Sequence, residues 1–149
     1  MHVAETQLWS FGHGLSYGDF TFSGDSSVTL HTTVAKAQTS ALCFNVTVKN
    51  SAAAPMSSDV TLLAFIASTL PDAPRNPKLC DFQREAMVKP GEGRTVKLCV
   101  GSLGPALELV SVKGERRVVP GVYTVTVGVK GSVGGVGAGT TIGKVVVAD

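Results

Sequence analysis

Short stretches rich in Val, Thr, Leu and Phe recur along this chain, cut from one another by Gly, Pro, Asn and Ser, and nothing long reads as a helix. Branched and aromatic side chains suit the pleated, half-buried surface of a strand, while frequent turn residues keep each strand short. About eight strands follow, at 27–34, 41–49, 59–67, 78–88, 94–100, 107–113, 122–129 and 140–147. Strands that short, with turn signals between them, predict an all-β fold, an antiparallel β-sandwich.

The second strand shows the pattern most clearly. Leu42, Phe44, Val46 and Val48 fall on one side and Cys43, Asn45, Thr47 and Lys49 on the other, so one face is core and the other meets water. The strand at 94–100 divides likewise, with Val96, Leu98 and Val100 inward and Thr95, Lys97 and Cys99 outward. Before it lies Lys89-Pro90-Gly91-Glu92-Gly93, where proline presets one turn dihedral and glycine permits a positive φ, predicting a hairpin turn. Pro120-Gly121 launches another strand at the position where a missing N–H does least harm. Three segments do not suit strands: 51–58 reads as a small-residue loop, 69–77 with its three prolines as an extended crossing between sheets, and 131–139 as a glycine-rich hairpin or loop.

At 149 residues the chain suits one domain, and 44% apolar with 16% charged residues is the composition of a packed globule. A formal net charge of +2 supplies no field to collect phosphate backbones or anionic lipid, so neither nucleic acid nor membrane is an expected partner. No apolar run approaches the roughly 18 residues of a membrane span, and the first ten residues lack the pattern of a secretory signal. Cys43, Cys80 and Cys99 have no Cys-x-x-Cys pairing and no histidine at ligand spacing; they are expected as thiols with no metal site, one disulfide at most being available.

Function enters through a run of motifs. Phe11-Gly12-His13-Gly14-Leu15-Ser16-Tyr17 closely resembles the F-G-H/Y-G-L-S-Y signature that leads into the C-terminal fibronectin type III-like domain of family 3 glycoside hydrolases. Val46-Thr47-Val48-Lys49-Asn50 is similar to that family's V-x-V-x-N strand end, and Pro74 to Phe82, with Lys78 and Leu79, to its P-x-K-x-L-x-x-F segment. Pro90-Gly91-Glu92 before Thr95-Val96, and Pro120-Gly121-Val122-Tyr123 before Val127-Gly128, match in the same order. Met56 with Leu62, Leu63 and Phe65, Cys99 with Leu107 and Val110, and Gly114-Glu115-Arg116-Arg117-Val118 resemble the plant-type β-D-xylosidases and α-arabinofuranosidases. Departures are Ser111 for a usual Asp, Asn50-Ser51-Ala52 for an Asn-x-Gly turn, and Ser10 for a proline before Phe11.

The resemblance implies an immunoglobulin-like, fibronectin type III-like domain over 20–149, preceded by a docking segment over 1–19 with Phe11, Leu15 and Tyr17 as anchors and Gly12 and Gly14 letting the backbone bend. It implies no catalytic residue here. Retaining glycosidases need two carboxyl groups about 5–5.5 Å apart, whereas Asp81 and Glu85, four positions apart in a strand, stand roughly 13 Å apart. His13 and Ser16 as base and nucleophile lack an aligned acid, and the absent barrel alone needs about 250 residues. Trp9 and Tyr123 could stack on a sugar, but both sit among core-type neighbours.

The expected role is a cofactor-free module that stabilises the catalytic domains of a β-xylosidase or β-glucosidase acting on cell-wall polysaccharide, in cis in a parent enzyme or in trans. The alternative is a free-standing carbohydrate-binding or adhesion domain, for which an exposed row of aromatics would speak. The chain reads as a fragment of a longer coding region. In its isolated state each anchor left in water forgoes about 1.5–3 kcal/mol of burial, so an exposed apolar patch and loose packing of 1–19 are expected. If the parent is secreted, Asn45-Val46-Thr47 is a usable N-glycosylation site.

Overall fold

A computed structural model describes residues 13–16, 18–24, 28–53, 56–128 and 140–149. Its strands are β1 (Phe20–Gly24), β2 (Thr29–Thr33), β3 (Leu42–Asn50), β4 (Ser58–Ser68), β5 (Lys78–Val88), β6 (Gly93–Val100), β7 (Glu108–Val110), β8 (Arg116–Val118), β9 (Gly121–Gly128) and β10 (Thr140–Ala148). Two single helical turns, α1 (Val34–Ala37) and α2 (Leu103–Leu107), complete it. A three-stranded sheet runs in the order β1-β3-β6 and a five-stranded sheet in the order β2-β10-β9-β4-β5, while β7 and β8 form a separate hairpin.

The two larger sheets make an all-β sandwich, as the strand rhythm predicts. Phe44, Val46 and Val48 of β3 and Val96, Leu98 and Val100 of β6 are buried in one apolar cluster with Val60, Leu62, Ala64 and Ile66 of β4 and with Tyr123, Val125 and Val127 of β9. The period-two alternation of β3 and β6 is thereby realised residue for residue. Close approach of the sheets depends on Gly143, which sits at a register shift in β10 where a Cβ would fall 2.3 Å from the Phe44 ring. Tyr123 is buried and its hydroxyl donates to the Val119 carbonyl at 2.8 Å, the backward hydrogen bond of the tyrosine corner in immunoglobulin-like sandwiches. Its ring is core, and no sugar can stack on it.

Several local expectations change. The five-stranded sheet is mixed, because β2 pairs in parallel with β10 while its other pairings are antiparallel. A parallel neighbour needs a long connection, and the chain from Thr33 to Thr140 separates these two strands. The Pro90-Gly91 turn has the expected chemistry, with Gly91 at φ +77° and the Glu92 N–H donating to the Lys89 carbonyl at 3.0 Å. It does not close a hairpin: β5 pairs with β4 and β6 with β3, so the turn carries the chain from one sheet to the other. Conversely, 69–77 does not cross between sheets but joins β4 to β5, which pair with each other.

The strand expected at 107–113 is shorter and begins later. Leu107 closes α2, buried with Leu103, and Glu108–Val110 pairs with Arg116–Val118. Ser111, standing where the family pattern has Asp, still does an acidic residue's local work: its Oγ accepts the N–H groups of Lys113 and Glu115, both at 3.3 Å. β1 and β8 are strands outside the eight expected, and 27–34 is trimmed because Val34 starts α1. The glycine-rich 131–139 lies outside the described residues; the strands it joins pair antiparallel, with Thr140 opposite Val127.

Asn50 organises the end of the sandwich where the signature motif arrives. It is fully buried; its Nδ2 donates to the Val88 carbonyl at 2.9 Å and its Oδ1 accepts the Ala52 N–H at 3.0 Å. Its backbone accepts from Gly91 and donates to the Glu92 carbonyl. One amide therefore ties the end of β3 to the end of β5 and to the loop that follows. Ser51 extends the tie to Asp19, just before β1.

Candidate functional site

Of the seven motif residues, Phe11, Gly12 and Tyr17 lie outside the described residues, as does Trp9. His13, Gly14, Leu15 and Ser16 are described, and Ser16 anchors them: its Oγ accepts the Thr61 N–H of β4 at 3.0 Å. Among the described residues the pairing of β9 with β4 runs from Ser68 to Leu63, where Gly128 is opposite. The serine hydroxyl thus takes up a strand N–H just beyond that ladder, a structural use for the residue considered as a nucleophile.

This tie brings the motif to the outer face of the five-stranded sheet. Opposed residues of an antiparallel pair share a face, so Arg84 stands beside Thr61, Phe82 beside Leu63 and Leu79 beside Phe65. Leu63 and Phe65 are 3% and 9% exposed even though they point away from the sandwich core, whereas Phe82 is 61% exposed. Leu15 is 51% exposed, and with Met56 and Met87 it borders an open groove of about 710 Å³ floored by Thr61 and rimmed by Asp59 and Arg84.

Met87 is held in an unfavourable backbone state. Its φ is +52°, a left-handed conformation that a side chain with a Cβ rarely adopts, and it lies where the β4–β5 register slips. The Asp59 carboxylate holds it there by accepting the Met87 N–H at 2.8 Å, while its other oxygen takes Arg84 at 2.6 Å. The Met87 N–H and then the Arg84 guanidinium keep the Asp59 carboxyl below its ordinary value of 3.8. The result is a thioether presented to solvent at a cost in backbone energy.

The carboxylates considered for hydrolysis are engaged elsewhere. Asp81 accepts the N–H of Cys99 at 2.7 Å and that of Phe82 at 2.8 Å, bridging the adjacent edges of the two sheets. Glu85 and Glu92 share Arg94, at 3.5 and 2.8 Å, and Arg94 also donates to the Ala86 carbonyl of β5. Hydrogen bonds from Arg94 and from the Lys89 N–H lower the Glu92 carboxyl. Among the described residues no group of three or more His, Cys, Asp or Glu side chains is placed to hold a metal ion.

The opposite surface, the outer face of the three-stranded sheet, is polar. Thr21 and Ser23 of β1, Asn45, Thr47 and Lys49 of β3, and Thr95 and Lys97 of β6 compose it. Cys43 and Cys99 lie there as expected, but as a disulfide rather than as thiols, since the β3–β6 register sets them directly opposite each other. Cys80 remains a thiol; burial and the neighbouring Asp81 push it up to about 12. Sequence reasoning passed over Phe82, Met56 and Met87 as site residues. The signals available were the places of Phe82 and Met56 in the motifs that resemble those of family 3 glycoside hydrolases, and an apolar Phe82 in a strand whose other members are mostly polar.

No family model matches the chain. The Exo-1,4-beta-xylosidase xlnD of Aspergillus oryzae is 33% identical over 144 residues, covering 84% of this chain and 17% of that protein. A beta-glucosidase from Listeria innocua, solved in complex with gluconolactone, superposes on 99% of this chain and 19% of its own with a TM-score of 0.70 at 21% identity. A GH3 exo-beta-xylosidase (XlnD), solved with a xylobiose aziridine activity based probe, superposes on 95% of this chain and 18% of its own, with a TM-score of 0.68 at 23% identity. The two structures share the fold, and the chain spans under a fifth of the length of each of these three proteins.

Proposed function

With family 3 glycoside hydrolases as its homologues and a span consistent with their C-terminal domain, we propose that this chain is a non-catalytic, fibronectin type III-like module that packs against the catalytic domains of a β-xylosidase or β-glucosidase. The observation that carries the reading is the run of exposed apolar side chains on the outer β4–β5 surface: Leu15, Met56 and Met87 border the groove where Ser16 pins the signature motif to β4, and Phe82 stands opposite Leu63 on the same face. Exposed apolar side chains grouped on one surface are what a protein partner covers. Backbone strain held by a dedicated carboxylate, as at Met87, accompanies sites kept for use rather than for stability. The carboxylates considered for hydrolysis serve turns, sheet edges and ion pairs, which favours a module that leaves hydrolysis to its partner.

A free carbohydrate-binding role draws less support. Stacking platforms need several rings, and among the described residues Phe82 is the one exposed aromatic.

The test is assembly in trans. Purified chain is mixed with a family 3 β-xylosidase or β-glucosidase lacking its C-terminal domain; co-elution and a raised melting temperature of the truncated enzyme are expected, with no turnover of nitrophenyl β-xyloside by the chain alone. Failure to associate with any such enzyme overturns the reading, as does turnover by the chain that a point substitution within it removes.

A further inference from the structure

The polar face carries two features that belong to one kind of compartment. Cys43 and Asn45 are two positions apart on β3 and point the same way, both exposed. Cys43 is oxidised to a disulfide with Cys99, a state that persists where thiols are not kept reduced. Asn45 opens the triplet Asn45-Val46-Thr47, an acceptor sequence for N-linked sugar in the same compartments. Opposite Asn45 stands Lys97, and the described pairing of β1 with β3 ends at Gly24 opposite Val46. The exposed amide therefore shares the outer face of β3 with Cys43 and Thr47, with Lys97 opposite.

We propose that Asn45 carries an N-linked glycan and that this sugar, beside the disulfide, keeps the three-stranded face in solvent. The inference stands on this face alone and is independent of the docking reading. In the transfer, the Asn45 amide nitrogen attacks the anomeric carbon of a polyprenyl-pyrophosphate-linked oligosaccharide. The bond from that carbon to the pyrophosphate oxygen breaks, a carbon–nitrogen bond forms, the amide gives up one proton and the lipid pyrophosphate leaves.

The fold also dictates when this happens. In the finished sheet β3 is paired on both sides, and the Thr47 hydroxyl is engaged with Thr95 Oγ1 at 3.3 Å. A triplet fixed in a central strand cannot bend into a transferase. The acceptor is used before β3 closes against β6, and the Cys43–Cys99 bond sets that closure, so preventing the disulfide leaves occupancy equal or higher.

The full chain is directed into the secretory pathway of a eukaryotic cell and its Asn45 peptide read by mass spectrometry with and without enzymatic deglycosylation. A glycopeptide is expected from the wild type and from Thr47→Ser, and none from Asn45→Gln or Thr47→Ala. Cys99→Ser should match or exceed wild-type occupancy. Unmodified Asn45 in secreted, disulfide-bonded protein overturns the proposal. Lower occupancy in Cys99→Ser overturns the order of events.

Discussion

The two outer faces of this sandwich are made by the same rule and end as opposites. On the three-stranded sheet each inward Val, Leu or Phe alternates with an outward Thr, Lys, Asn or Cys, and the outer surface is closed by cross-strand pairs such as Cys43–Cys99 and Thr47–Thr95. On the β4–β5 half of the five-stranded sheet the alternation fails. β4 reads apolar on both sides, Leu63 and Phe65 are buried on the outer side, Phe82 and Leu79 opposite them stay exposed, and Leu15, Met56 and Met87 are exposed at the groove by Thr61. A strand with one apolar face belongs to a two-layer sandwich; a strand apolar on both faces belongs between two layers. Here the second layer over β4 is only begun, by the motif residues around Ser16.

The contrast breaks most readily at Phe82. Replacing it with Ser removes a ring worth about 1.5–3 kcal/mol on burial, so association with a truncated family 3 enzyme should weaken by about ten- to a hundredfold. The same change at Lys97 on the other face should leave binding as it was. Titration calorimetry of the two variants side by side checks this, and the reverse outcome would exchange the roles of the faces.

The polar face should instead reveal itself in stability. Cys43 and Cys99 are 56 positions apart, so their bond removes much of the unfolded chain's freedom. Substituting both by Ser should cost about 2–4 kcal/mol in urea unfolding while leaving association intact. A loss well below this would mean that the β3–β6 ladder holds without its staple.

The smallest expected effect is of pH. Asp59 titrates below its ordinary 3.8 in the folded protein, so its contribution is fully present above that value and lost as pH falls through the lowered one. Acidification in that range should free the Met87 amide to exchange before the amides of β3 do, as hydrogen exchange read by NMR would show. In Asp59→Asn the difference in acid sensitivity between the two regions should vanish.

What the sequence determined was local. Val46, Val48, Val96 and Leu98 alternate with polar neighbours, Pro90-Gly91 dictates a turn and Pro120-Gly121 starts a strand, because side-chain period and backbone dihedrals are properties of a few consecutive residues. The family resemblance was local too, carried by short motifs in order. Only the tertiary structure decided that the Pro90-Gly91 turn leaves one sheet for the other, that β2 lies parallel to β10, and that Cys43 meets Cys99. Each of these depends on which strand lies beside which, and strand pairing joins residues tens of positions apart through backbone groups that are alike in every residue. The exposed groove of Leu15, Met56 and Met87 was hidden for the same reason: its members come from three separate segments, and only the register of β4 on β5 and the bond from Ser16 to Thr61 bring them together.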